Sequence, residues 1–199
     1  MITLDVAQGS PEWFAARCGI PTASNFDKIV TSKGEPSKSA TKYIWQLAAE
    51  RIIGKTEESY QNPAMLRGIE MESEAVALYE MIKCVDTTEV GICYLDETKS
   101  VAASPDRLVG KQGLLEIKCP LNYTHVGYLL DPQLPTDYFQ QAQGQLYVTG
   151  CWWLDFMSYY PGIKPLIVRV ERDEKFISAL ESELKKFCSE LDRVTEKIR

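Results

Sequence analysis

A single histidine, His125, stands in 199 residues, so a histidine-based nucleophile relay has little to build on. It is expected in a loop or a satisfied contact. The six cysteines (Cys18, Cys84, Cys93, Cys119, Cys151 and Cys188) never form C-x-x-C, so the close ligand pairs of zinc ribbons and iron–sulfur clusters are missing. They are expected as free, packed thiols. No apolar run approaches the roughly 20 residues that span a bilayer, and Met1-Ile2-Thr3-Leu4-Asp5 lacks the basic and apolar blocks of a signal peptide. A cytoplasmic protein is expected. Nor is there a basic excess: 22 Lys and Arg face 28 Asp and Glu, a formal charge of −6. That argues against a simple DNA-coating protein, whose affinity comes from basic surplus. It leaves room for a nucleic-acid enzyme, because local charge matters more than the sum. Repeats and low-complexity tracts are absent, and 45% hydrophobic with 25% charged residues is an ordinary globular composition, read here as one domain over 1–199.

The turn formers Thr31 to Ser39 mark a loop, after which Ile44, Leu47, Ala48 and Ile52 predict a helix ending at Gly54. A second helix is predicted over 62–82, with Asn62 as N-cap and Pro63 at its first position. Its apolar face carries Met65, Ile69, Val76 and Tyr79, and Glu72 falls in the middle of it. A carboxylate there either meets an arginine inside or serves a metal. Extended segments are predicted at Glu89–Leu95, at Val101–Val109 with Pro105 interrupting, and at Leu114–Cys119 after a turn at 110–113. A helix over Thr136–Tyr147, closed by Gly150, precedes strands at Trp152–Tyr159 and Leu166–Glu171. A last helix carries Phe176, Leu180, Leu184, Phe187, Leu191, Val194 and Ile198 as a packing stripe. The class is mixed α/β. The aromatic run Trp152, Trp153, Phe156, Tyr159 and Tyr160 suits either core or subunit interface.

Chemistry gathers around Ser104-Pro105-Asp106 and Leu115-Glu116-Ile117-Lys118. A strand's period of two puts Glu116 and Lys118 on one face and Leu115 and Ile117 on the other. The intervening turn can fold Asp106 back beside Glu116. Two adjacent carboxylates repel, a divalent cation relieves them, and oxygen ligands suit Mg²⁺ or Mn²⁺ rather than zinc. Lys118 can then orient the attacking water or neutralise charge on a phosphoryl transition state. On spacing alone, a surface salt bridge on an edge hairpin accounts for P-D-x(9)-E-x-K equally well.

The pattern sits inside longer blocks: Trp13 to Ser24, Arg67-Gly68 before Glu72, Ser104-Pro105-Asp106, Gly113 to Pro120, and Tyr138 to Gln143, in that order. Together they resemble the phage lambda exonuclease family, the YqaJ-like viral recombinases, within the PD-(D/E)xK nuclease superfamily. The resemblance implies a restriction-endonuclease-like core with a central mixed β-sheet flanked by helices. It also implies a Mg²⁺-dependent 5′→3′ exonuclease that degrades one strand of linear duplex DNA and leaves a 3′ single-stranded tail. Asp106, Glu116 and the Ile117 carbonyl correspond to its metal ligands, Lys118 to its catalytic lysine, and Glu72 to an acid serving a second ion. Arg17, Ser24 and Ser104 correspond to the 5′-phosphate pocket, and Tyr138 and Gln141 to helix residues near the scissile phosphate. Asp96 matches a further acidic position, or is a strand-end aspartate facing water; Arg107, where the family has glycine, reaches DNA or pairs with an acid. Trp13 stacks on bases or simply packs. The likeness further implies a ring-shaped homotrimer around the duplex, a single-strand annealing protein as partner, and a phage or prophage gene in a bacterial cell. Other readings are a related repair endonuclease and a non-catalytic DNA-end-binding scaffold.

Overall fold

Short-range chemistry sets most element ends. Ser10 caps the first helix by accepting the Trp13 N–H, and Pro11 begins it, giving α1 (Pro11–Arg17). Gly54, at φ 73°, closes α2 (Ala40–Ile53), and Gly150, at φ 71°, closes α5 (Phe139–Thr149); both use the left-handed conformation that glycine adopts without strain. Between these lie α3 (Pro63–Lys83) and α4 (Asn122–Leu130), and α6 (Glu174–Ile198) ends the chain, capped by Asp173 accepting the Phe176 N–H. The strands are β1 (Ile2–Leu4), β2 (Thr87–Glu89), β3 (Ile92–Tyr94), β4 (Ala102–Ala103), β5 (Arg107–Val109), β6 (Gly113–Lys118), β7 (Trp153–Ser158) and β8 (Leu166–Glu171). This computed structural model describes residues 1–56 and 63–199, and only the backbone of 63–69. The expected cap Asn62 and the side chains of Met65, Arg67 and Ile69 lie outside the described residues.

Five strands form a mixed sheet in the order β2-β5-β6-β7-β8, with β6 and β7 parallel and the other pairs antiparallel. A smaller antiparallel sheet runs β1-β3-β4. The segment expected as one strand over Glu89–Leu95 is divided between them, because Gly91 passes against the Leu4 and Val6 carbonyls where any Cβ would collide. The Val101–Val109 segment divides at Pro105, which cannot donate to a ladder, so β4 joins the small sheet and β5 the large one. Ser104 and Asp106 therefore sit at the junction of the two sheets.

The five-stranded sheet is covered on both faces. Leu115, Ile117 and Met157 pack with Ala75, Val76 and Tyr79 of α3. Leu114, Leu154 and Phe156 pack with Ala142 and Leu146 of α5. The predicted stripe of α6 is buried from Phe176 to Leu191 against Tyr43, Ile44, Leu47 and Ala48 of α2. Two expected packing residues are instead on the surface: Ile52 and Ile198, each within the last two residues of its helix, are 44% and 56% exposed. The aromatic run divides, with Phe156 and Tyr159 in the core and Trp152 65% exposed. None of the six cysteines forms a disulfide. His125 is fully buried, its Nδ1 2.7 Å from Ser158 Oγ and its Nε2 3.0 Å from the Lys164 carbonyl. Only a protonated Nε2 satisfies that carbonyl, so the ring is a structural tie between α4 and the β7–β8 hairpin. Among the described residues no helix is long and apolar enough to cross a membrane.

Candidate active site

The β5–β6 register pairs Arg107 with Leu115, so Asp106 and Glu116, one step further along, face each other across the hairpin. Asp106 Oδ2 accepts the Ile117 N–H at 2.6 Å. A residue's N–H and carbonyl leave an extended strand on the same edge, so the Ile117 carbonyl lies on the Asp106 side, beyond the last β5 pairing. Glu116 is 3% exposed. Its Oε1 accepts from Lys118 Nζ at 2.5 Å and from Gln141 Nε2 at 2.6 Å, and its Oε2 accepts from Gln145 Nε2 at 2.7 Å. Tyr138, capping α5, sets its ring 5.3 Å from Lys118 Nζ.

The electrostatics follow from crowding. Burial, then the neighbouring Glu116 carboxylate, pushes the Asp106 carboxyl well above the usual carboxylate range, against the pull of Lys118 and the Ile117 N–H. Burial opposes the charge on Lys118, but Glu116 and Asp106 outweigh it and hold the ammonium above its ordinary value. Two carboxylates meet a single ammonium, an imbalance that a hard divalent cation with oxygen ligands would correct. Among the described residues no three His, Cys, Asp or Glu side chains form a ligand set by themselves. A cation here would draw on Asp106, Glu116, the Ile117 carbonyl and water, a donor set that suits Mg²⁺ or Mn²⁺.

Glu72 lies on the face of α3 that carries the buried Val76 and Tyr79, at its more exposed margin, and of the two partners expected for it the arginine is the one seen. Its side chain is 36% exposed at the edge of α3, with Oε1 3.7 Å from Arg107 Nη1. Partial burial raises its carboxyl, Arg107 lowers it, and Glu116 and Glu89 raise it again, so it shares the field of the site without joining its hydrogen bonds. Of the two roles open to Arg107, pairing is the one seen: Glu72 at 3.7 Å, Glu89 at 3.9 Å, and a hydrogen bond to the Asp106 carbonyl at 2.9 Å. Asp96 stands apart, its carboxylate closing a turn by accepting the Thr98 N–H and Oγ.

Next along the chain from Asp106, a second cluster forms. Arg17 Nη1 donates to Ser104 Oγ at 3.2 Å, and Nη2 to Thr22 Oγ1 and Ser24 Oγ, both at 3.3 Å. Trp13 does not offer a free stacking face: Arg17 lies 4.0 Å above its ring, and its Nε1 donates to Ser104 Oγ and the Gly91 carbonyl, both at 3.1 Å. Burial lowers the Arg17 guanidinium to about 10, against Tyr43 and Glu50, because its direct partners are neutral hydroxyls. Ser104 Oγ already accepts two hydrogen bonds, which leaves its own O–H to donate. A half-buried cation beside a hydroxyl with a proton to donate is a ready anion site.

Gln145, Thr22 and Asn25 escaped the sequence reading. Gln145 had a signal, since it follows Gln141 by four and shares its helix face. Asn25, which donates to Thr22 Oγ1 and Ser24 Oγ, had none.

Residues 12–152 match the sequence model of the YqaJ-like viral recombinase domain. The chain superposes on the crystal structure of an alkaline exonuclease (LHK-Exo) from Laribacter hongkongensis with a TM-score of 0.86 and 36% identity, covering 95% of this chain and 96% of that one. The complex of LHK-Exo with dAMP matches equally well. A phage-related exonuclease from Haemophilus somnus 129PT shares the fold, with a TM-score of 0.70 at 15% identity over 90% of this chain and 96% of that one. No curated protein matches the chain.

Proposed function

The chain belongs to the YqaJ-like viral recombinase domain family, and from that premise we propose that it is a metal-dependent exonuclease of linear double-stranded DNA. It removes one strand 5′→3′ and leaves a 3′ single-stranded tail for recombination by strand annealing. The family and the alkaline exonuclease relative support a DNA exonuclease. The observation that carries the finer reading is one of adjacency. Ser104, held by Arg17, and Asp106, opposite Glu116, are separated only by Pro105. An enzyme that cleaves from a 5′ end needs an anion pocket for the terminal phosphate at a fixed distance from its cleavage site, and this segment supplies both.

Asp106, Glu116 and the Ile117 carbonyl, with Glu72 at the side, would hold Mg²⁺, with Mn²⁺ as a substitute and two ions per site. Bound there, such a cation would supply Lewis-acid polarisation of the scissile phosphate and a lowered pKa for the attacking water. Lys118 is held as an ammonium by Glu116 and Asp106. It therefore orients the nucleophile and balances charge building on the phosphoryl oxygens during in-line attack, as the 3′-hydroxyl leaves. Gln141 fixes the Glu116 carboxylate from α5, and Tyr138 flanks Lys118. Arg17, Ser24 and Ser104 receive the 5′-terminal phosphate through a guanidinium fork and hydroxyl donors. A homotrimer ring around the duplex and a single-strand annealing protein complete the proposal.

The test is digestion of end-labelled linear duplexes bearing 5′-phosphate or 5′-hydroxyl ends, beside a covalently closed circle, with and without EDTA. The expected result is 5′→3′ loss of one strand from phosphorylated linear DNA, abolished by EDTA, with the circle untouched. Arg17→Ala should shrink the preference for 5′-phosphate. Equal loss of circle and linear duplex would overturn the exonuclease, and an unaltered preference would remove Arg17 from the pocket.

A further inference from the structure

Gln145 Oε1 is the one buried side-chain polar atom without a hydrogen-bond partner among the described residues. Buried acceptors are nearly always paired, with protein or with ordered water, so this one needs a reason. The residue is 1% exposed and lies on the face of α5 that covers β6. Its orientation is dictated. Nε2 donates to Glu116 Oε2 at 2.7 Å, and a carboxylate only accepts, so a flipped amide would press two oxygens together. Gln141, one helical turn earlier, donates to the other oxygen of the same carboxylate, as does Lys118. Gripped at both oxygens, Glu116 cannot turn about its Cγ–Cδ bond. Lys118 and Gln141 direct these nitrogens to Glu116, and neither serves Gln145 Oε1.

We propose that Gln145 is a positioning residue: its amide N–H holds Glu116 in the orientation that meets a cation, and its amide oxygen accepts from a water that enters with the hydrated ion. This rests on the cation-dependent reading above and adds a residue one layer behind the ligands. Mg²⁺ sheds its waters reluctantly, so a site of two carboxylates and a carbonyl must also satisfy water hydrogens. An acceptor fixed beside Glu116 does that, and a residue of this kind controls ion affinity rather than DNA affinity.

Gln145→Met keeps the side-chain length and removes both polar atoms. Calorimetric titration of Mg²⁺ and Mn²⁺ into the DNA-free full chain reads the site without turnover, with Glu116→Ala as the control for the reading beneath it. Gln145→Met should bind either ion about tenfold more weakly or worse. Its kcat on 5′-phosphorylated duplex should fall with it, while KM for DNA ends stays within about twofold of wild type. Native ion affinity in folded Gln145→Met overturns the proposal, including when the melting temperature falls, since that result marks packing alone. Should Gln145→Met fail to fold, Gln145→Asn, which withdraws the amide by one methylene, decides by the same titration. Weakened binding supports the proposal and native affinity overturns it. If wild type binds no ion, or Glu116→Ala binds like wild type, the cation reading itself fails and this proposal falls with it.

Discussion

Lys118 keeps its proton because Glu116 and Asp106 outweigh the cost of burying an ammonium. On the proposed mechanism, replacing it or its partner removes electrostatic stabilisation aimed at the transition state. Lys118→Ala and Glu116→Ala should each lower the single-turnover rate about 100-fold or more, while DNA-end binding, followed by fluorescence anisotropy without turnover, largely survives. Unchanged degradation would move the activity to another site. Asp106 makes the opposite demand on the cation-free fold. Its folded carboxyl lies above the unfolded value of about 4, so the folded chain binds more protons and stability falls as pH rises through that window. Asp106→Asn removes the charge and still accepts the Ile117 N–H. Cation-free, it should melt above wild type at about pH 7.5 by a few degrees, at about 2–4 °C per kcal/mol, and the two should converge near about pH 4. A variant melting below wild type at neutral pH contradicts this account. These three residues were legible because a two-residue period and one turn suffice to bring them together. Glu72 was legible as an awkward acid that meets an arginine or a metal, but its partner was not, because Arg107 comes from β5 on the sheet face that α3 covers.

At the scale of elements, the site depends on how closely α5 approaches the 3₁₀ helix Ala23–Lys28, which carries Ser24. Gly144 makes that approach possible, since a Cβ there would run into the Phe26 ring. Gly144→Ala should cost about 1–3 kcal/mol by overpacking, seen as a lower melting temperature. It should also weaken discrimination between 5′-phosphate and 5′-hydroxyl ends, because Ser24 moves relative to Gln141. Unchanged melting and discrimination would show that Phe26 yields without consequence. The longer elements were legible from periodicity and caps, among them α2 with Gly54, α6 with its stripe, and β8. Both α1 and α4 were not. The former is seven residues long, too short for a period to show, and the latter, Asn122–Leu130, carries no charged residue to contrast with its apolar ones.

For the whole molecule, the acidic balance of −6 argues against holding DNA by bulk charge. The cations that matter are local: Arg17 within its hydroxyls and Lys118 between its carboxylates. A ring closed around the duplex would retain DNA by topology instead. Light scattering in solution should then give about three times the 22.5 kDa of one chain. A monomeric mass together with retained processivity would discard the ring.

The sequence by itself determined that Asp106, Glu116 and Lys118 come together, that the last helix packs by its stripe, and that the class is mixed α/β. Each depends on residues close in the chain or on one repeating period, where steric and hydrophobic rules act locally. Only the tertiary structure decided that Ser104 and Asp106 occupy the seam between two sheets, that Arg107 is the arginine beside Glu72, and that Gln145 lies buried behind Glu116. These arrangements depend on which elements land against one another. That outcome is set by the joint packing of segments far apart in the chain, and no single segment encodes it.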